Sequence, residues 1–139
     1  MEVTTVDNQA AEIQAKAKKI IASRANATGL CPVRDILGRI GDKWSMLAIL
    51  HLGSTDSLRF SELRKRIDGI SQRMLTVTLR TLETDGLVTR TVYAEVPPRV
   101  EYALTGLGQG LLGVVIPMGS WANAHAPAIA EARQRVAAA

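Results

Sequence analysis

Ile70-Ser71-Gln72-Arg73-Met74-Leu75-Thr76-Val77-Thr78-Leu79-Arg80-Thr81-Leu82-Glu83-Thr84-Asp85-Gly86-Leu87-Val88 reads as a helix with two unlike faces that runs directly into a strand. Leu75, Leu79 and Leu82 recur at helical spacing and form a stripe that must be buried, while Arg73, Thr76, Val77, Arg80 and Thr84 fall on the opposite side. Ser71 is the expected N-cap, and Gly86 supplies the left-handed conformation that closes the helix near Asp85. The outward face is basic, hydroxylated and short. Such a face fits a DNA major groove, where Arg bonds guanine or phosphate, Thr bonds either, and Val touches a thymine methyl. A solvated helix whose arginines only aid solubility has the same pattern, so this segment alone leaves both readings open.

Upstream, Leu58-Arg59-Phe60 reads as a short strand and Ser61 to Ile67 as a short helix capped by Ser61, with Asp68-Gly69 turning the chain. Asp42 is the expected N-cap of a helix from Lys43 to about Leu52, followed by a loop from Gly53 to Ser57. Trp44, Leu47, Ala48 and His51 share one face of that helix, which makes His51 a partly buried, hydrogen-bonded side chain rather than a ligand or base. Cys31-Pro32 opens an earlier helix, since Pro suits the first helical position, and Ile36, Leu37 and Ile40 are its expected buried side. A first helix from about Asp7 to Arg24 carries Ile13, Ala17, Ile20 and Ile21 on one side, a narrow stripe suited to a partner chain, and Asn26-Ala27-Thr28-Gly29 breaks it.

Downstream, Leu87 to Tyr93 and Arg99 to Leu104 read as two strands of a hairpin, joined by Ala94-Glu95-Val96-Pro97-Pro98, whose prolines stiffen the tip. Thr105 begins a last helical region that is apolar on more than one side, too greasy to face water on a small monomer. The Ala-rich end after Pro127 reads as frayed.

The 139 residues are one domain's worth, and 47% hydrophobic content argues against a disordered tail protein. Of the net charge of +4, an excess of three lies between Arg59 and Arg99, where eight basic residues face five acidic ones. That distribution suits a polyanionic partner. No apolar run resembles a signal peptide or a membrane span, since even Leu107 to Met118 is short and broken by Pro117, and a cytoplasmic location is expected. His51 and His125 stand in no metal-ligand spacing, and no metal or other cofactor is expected. The chain also has no phosphate-cradling glycine motif and no paired carboxylates in an apolar setting, which argues against an enzyme.

Short helix, tight turn, second helix with a polar outer face, then a two-strand hairpin is the order of a winged helix-turn-helix, in which the first helix braces and the second enters the major groove. Ser71, Gln72, Arg73, Thr76 and Val77 are the candidates for base edges, because the N-terminal half of such a helix goes deepest. Lys43, Arg64, Lys65 and Arg80, with Arg90 and Arg99 on the hairpin, are the candidate phosphate anchors. A winged-helix module that docks on a protein and never touches DNA is the alternative. Salt dependence of binding separates the two.

Several motifs agree at once on a family. Cys31-Pro32-Val33, Ile40-Gly41-Asp42-Lys43-Trp44, Leu58-Arg59-Phe60-Ser61-Glu62-Leu63, Ile70-Ser71-Gln72-Arg73-Met74-Leu75, Leu82-Glu83-Thr84-Asp85-Gly86-Leu87-Val88 and Tyr93-Ala94-Glu95-Val96-Pro97-Pro98-Arg99-Val100-Glu101-Tyr102 resemble, in this order, the HxlR-type winged-helix regulators of bacteria. The resemblance implies a homodimer that binds double-stranded operator DNA and represses a neighbouring gene. The expected fold is mainly α with a small β wing (α+β), dimeric through its N- and C-terminal helices. Residues 1–29 are then a helical extension for dimer contacts, 30–105 the winged helix-turn-helix core, and 106–139 a dimerisation helix with a frayed tail. The extension is longer than the family leads one to expect. The chain also departs from the pattern at Gly106, Gly108 and Gly110, each of which weakens a helix by about 1 kcal/mol.

Cys31 is the sole cysteine, a free thiol in a reducing compartment. The positive end of a helix and Arg34 favour a reactive sulfur there, and Asp35 opposes it. In HxlR-type regulators a cysteine at this position serves in a number of members as the sensor of oxidants or electrophiles, and in many others a small buried side chain is all it need be. With no second cysteine, sensing is restricted to an intersubunit bridge, a mixed disulfide or alkylation.

Overall fold

The structure, a computed structural model, describes residues 2–23 and 28–139, with side chains in the first helix described from Asn8 onward. The chain divides into two units, Met1–Asp42 and Lys43–Ala139. In the first unit, α1 spans Glu2–Ile21, so it begins before the expected Asp7. Arg24 and the expected break at Asn26-Ala27 lie outside the described residues. Ile13, Ile20 and Ile21 of α1 are exposed.

Pro32–Ile36 forms a π-helical turn that passes into α2, Leu37–Ile40. This changes one expectation. Ile40 is buried, but Ile36 and Leu37, expected beside it, are exposed. A π turn takes in an extra residue, so side chains on either side of it no longer share the face that a 3.6-residue period assigns.

The second unit comprises α3 (Lys43–Gly53), β1 (Leu58–Arg59), α4 (Phe60–Arg66), α5 (Gln72–Thr84), β2 (Val88–Tyr93), β3 (Arg99–Leu104) and α6 (Gly106–Ala138). Its strands form one antiparallel sheet in the order β1-β3-β2. The β2–β3 register runs from Val88↔Leu104 to Tyr93↔Arg99, whereas β1 pairs only at Leu58↔Tyr102 and Arg59↔Glu101. Ala48, Ile49, Leu52, Leu63, Leu75, Leu79 and Leu82 are at most 1% exposed and make the centre of the core.

The leading segment folds as its pattern dictates. Ser71 Oγ accepts the Met74 N–H at 3.0 Å, capping α5. At the other end Leu87 N–H bonds Leu82 O (2.9 Å) and Gly86 N–H bonds Glu83 O (3.0 Å), with Gly86 at φ 77°. These paired bonds are the Schellman closure, which needs the left-handed residue. Five β-branched residues within α5 cost at most about 0.7 kcal/mol each in propensity. Burying three leucines returns roughly 1.5–3 kcal/mol apiece, so packing decides for the helix.

Elsewhere local pattern misplaces details. Phe60 opens α4 rather than ending β1, and the cap is Arg59, whose N–H donates to Glu62 Oε1 at 3.0 Å, not Ser61. A Glu at the third helical position reaching back lets the helix start where the strand stops. In α3 the buried set is Ser45, Ala48, Ile49 and Leu52, rotated from the expected Trp44–Leu47–Ala48–His51 face. His51 is half-buried. The tail after Pro127 is helical to Ala138, as alanine's propensity favours.

Candidate nucleic-acid interface

α5 presents Gln72, Arg73, Thr76, Val77 and Arg80 to solvent, with Val77 52% exposed. The cap and the interior of this helix shape what its first turns can offer. Ser71 uses a lone pair on its own helix and keeps its hydroxyl proton for an outside acceptor. Thr76 Oγ1 donates to Gln72 O at 2.8 Å, which leaves its methyl and its acceptor lone pairs facing outward. Met74, exposed on the same first turn, adds an apolar contact that the basic-face pattern did not single out.

Two recesses flank this surface. One, of about 500 Å³, lies between α5 and the hairpin and is lined by Gln72, Thr76, Arg80, Glu83 and Arg90 among others. The second, about 520 Å³, lies at the α4–α5 turn and is lined by Ser61, Arg64, Lys65, Gly69 and Gln72. Gln72 thus stands at the junction of both. Glu83 is the acidic member that the pattern of cations missed, although its spacing of three from Arg80 and seven from Thr76 carries the signal. Among the described residues, Arg64, Lys65, Arg73, Arg80 and Arg90 make no ion pair within the chain.

Two expected anchors stand apart from this set. Lys43 lines neither recess. It borders an apolar groove between α3 and α6 with Leu47, Leu50, Met118 and Trp121, and its Nζ lies 4.4 Å from the Trp44 ring centroid. Arg99 does not offer its guanidinium to solvent as Arg90 does, because it is held by Glu95 (3.4 Å), Glu101 (3.3 Å) and the face of Tyr93 (4.1 Å).

Cys31 is half-buried and caps the π-helical turn. Its N–H donates to Asp35 Oδ2 at 2.7 Å, and Asp35 N–H donates back to Cys31 O at 2.8 Å. The carboxylate is therefore committed to the cysteine's own backbone. Among the described residues no group of three or more His, Cys, Asp or Glu is placed to hold a metal, and no helix is long and apolar enough to cross a membrane.

This order of elements, with an exposed second helix and a hairpin beside it, has counterparts of known family. The model of the HxlR-like helix-turn-helix family matches residues 39–130. The chain belongs to that family. An HxlR-like protein of this kind has a near relative in an uncharacterized HTH-type transcriptional regulator from Methanothermobacter thermautotrophicus, 46% identical over 96 residues, 69% of this chain and 72% of that one. The ytfH protein from Salmonella typhimurium superposes with a TM-score of 0.70 at 34% identity, covering 80% of this chain and 99% of its own. The redox regulator HypR in its reduced form superposes with a TM-score of 0.66 at 41% identity, over 72% and 98% of the two chains. The HxlR-like relatives are transcriptional regulators rather than enzymes.

Proposed function

We propose that this protein is a homodimeric, sequence-specific DNA-binding regulator that represses a neighbouring gene. The carrying observation is the set of cations without protein partners on and around the exposed face of α5. In this reading α5 lies in the major groove, with Ser71, Gln72, Arg73, Thr76 and Val77 toward base edges and Arg64, Lys65, Arg80 and Arg90 toward phosphates. The exposed apolar residues of α1 and α6 supply the dimer contacts. Gel-shift titration on DNA upstream of the protein's own gene tests the whole reading: nanomolar binding that weakens steeply with salt supports it. Salt-independent or absent binding to any upstream fragment ends it.

Arg73 is the base contact with the most to lose. Arg73→Ala is expected to cost about 1–3 kcal/mol in preference for the operator over unrelated DNA, the worth of one bidentate base pair contact. Unchanged selectivity in competition gel shifts removes Arg73 from the readout.

Cys31 is the expected site of regulation. Similarity to HypR, named as a redox regulator, supports this alongside the half-buried position of the thiol. Two Cys31 thiols from two copies lose two electrons and two protons to an oxidant and join as a disulfide, or one Cys31 thiolate attacks a small disulfide, forming a mixed disulfide and releasing the other half as a thiol. Cys31→Ser is expected to bind operator as wild type does but to show no change on treatment with a thiol oxidant. A variant that still responds retires the sensor.

A further inference from the structure

We infer that Arg99 is the residue that positions the wing for DNA, and that the wing's phosphate contact is left to Arg90. This rests on the DNA-binding reading above. The third strand reaches only part of the hairpin: β1 pairs with β3 at Tyr102 and Glu101 and no farther toward the tip. Beyond that point the pairs Val92↔Val100 and Tyr93↔Arg99 form a two-stranded ribbon. Such a ribbon is marginal in water without something to pack on. Val92 and Tyr93 are themselves exposed and provide no core there.

Arg99 supplies the missing support. Its guanidinium stacks over the ring of its cross-strand partner Tyr93, 4.1 Å from the centroid. Its Nη2 lies 3.4 Å from Glu95 Oε1 in the hairpin loop. Its buried Nε lies 3.3 Å from Glu101 Oε1, a charge contact outside hydrogen-bond geometry. Glu101 in turn accepts the Ser57 hydroxyl at 3.2 Å. The chain of contacts therefore runs from the loop ahead of β1, through Glu101 and Arg99, to the hairpin loop. Two carboxylates around one guanidinium also leave the cluster with a net negative charge. If Arg99 swung out to a phosphate, both would be left unpaired beside DNA, where like charge repels. Arg90, in the groove beside Arg80 and without an ion pair among the described residues, carries no such penalty.

Lysine distinguishes the two roles. A lysine serves a phosphate as a point charge, but it cannot reproduce a planar group that stacks and bridges. Arg99→Lys is therefore expected to weaken operator binding about as much as Arg99→Ala, with the salt slope of wild type in both. Arg90→Ala is expected to flatten that slope by about one, and Arg90→Lys to restore it. In the free protein, amide exchange at residues 91–93 and 99–101 is expected to rise roughly five- to twentyfold in both Arg99 variants, the size that a part-exposed ion pair and a cation–π contact together carry. Exchange in α5 and the melting temperature should stay at wild-type values. Wild-type affinity in Arg99→Lys with a flattened slope in Arg99→Ala makes Arg99 a phosphate anchor and overturns the inference. Faster exchange throughout α5 makes it a general stabiliser and overturns it too. If wild type binds no DNA, the exchange arm still decides whether Arg99 braces the hairpin, and only the DNA reading falls.

Discussion

If the proposed homodimer on a two-half-site operator holds, Trp121→Glu is expected to convert it to a monomer and to lower operator affinity by about 10²–10⁴, the range that joining two binding modules contributes. The expectation rests on α6. Leu107, Val114, Met118, Trp121, Ile129 and Val136 are all exposed, and their spacings of 7, 4, 3, 8 and 7 keep them on one side of a helix 33 residues long. An apolar stripe of that length is out of place facing water. Trp121 lies near its middle, 58% exposed, with its ring stacked 4.6 Å from that of His125. A glutamate there meets water in the single chain at little cost, but in an interface it is an unpaired buried charge. Light scattering after gel filtration reads the assembly, and far-ultraviolet dichroism confirms that the protomer stays helical. A wild-type protein that runs as a monomer, or a variant that stays dimeric, overturns the proposed interface.

The second expectation concerns three glycines that the sequence treats alike and the fold does not. A Cβ at Gly108 would overlap the Leu87 backbone carbonyl oxygen and sit 3.2 Å from Leu104 Cδ2. The same carbonyl accepts the Thr105 N–H at 3.0 Å, while Thr105 Oγ1 donates to Gly86 O (2.6 Å) and accepts the Gly108 N–H (3.1 Å). Gly108 thus lets the start of α6 lie against the turn between α5 and β2. Gly108→Ala drives a side chain into backbone, which cannot turn aside as a flexible side chain does. The overpacking costs about 1–3 kcal/mol, and displacing the Thr105 cap adds about 1. For a chain of this size that is a fall of roughly 6–14 °C in melting temperature. At Gly106 and Gly110 nothing lies within 4 Å, so alanine there is expected to stabilise by up to about 1 kcal/mol. Thermal unfolding of the three variants at one protein concentration checks the sign at each position. Equal shifts at all three would mean that α6 does not pack on Leu87.

Much of the candidate interface was legible because its signals are local. The limits of α5 follow from a cap, a closing glycine and a leucine period, all within nineteen residues. The hairpin strands were legible for the same reason, from β-formers on either side of a proline-bearing loop. Where the sequence read wrongly, it lacked a distant partner. Every side of α3 carries apolar residues, so its period alone could not say that Ile49 and Leu52, rather than Trp44 and Leu47, belong to the core. The π turn after Cys31 rotated Ile36 and Leu37 away from Ile40 without leaving a mark in the periodicity.

From its amino acids alone the chain determined a capped helix with one oily and one cationic side, a hairpin after it and an excess of positive charge from Arg59 to Arg99, because caps, turns and periods act over a few residues. Tertiary structure decided which cations remain unpaired. Arg99 is occupied because the hairpin sets Tyr93, Glu95 and Glu101 around it, with Glu101 itself held by Ser57, 44 residues away, and Gly108 is irreplaceable because Leu87 lies against it. Contacts between residues so far apart depend on the packing of the whole core, which no local pattern records.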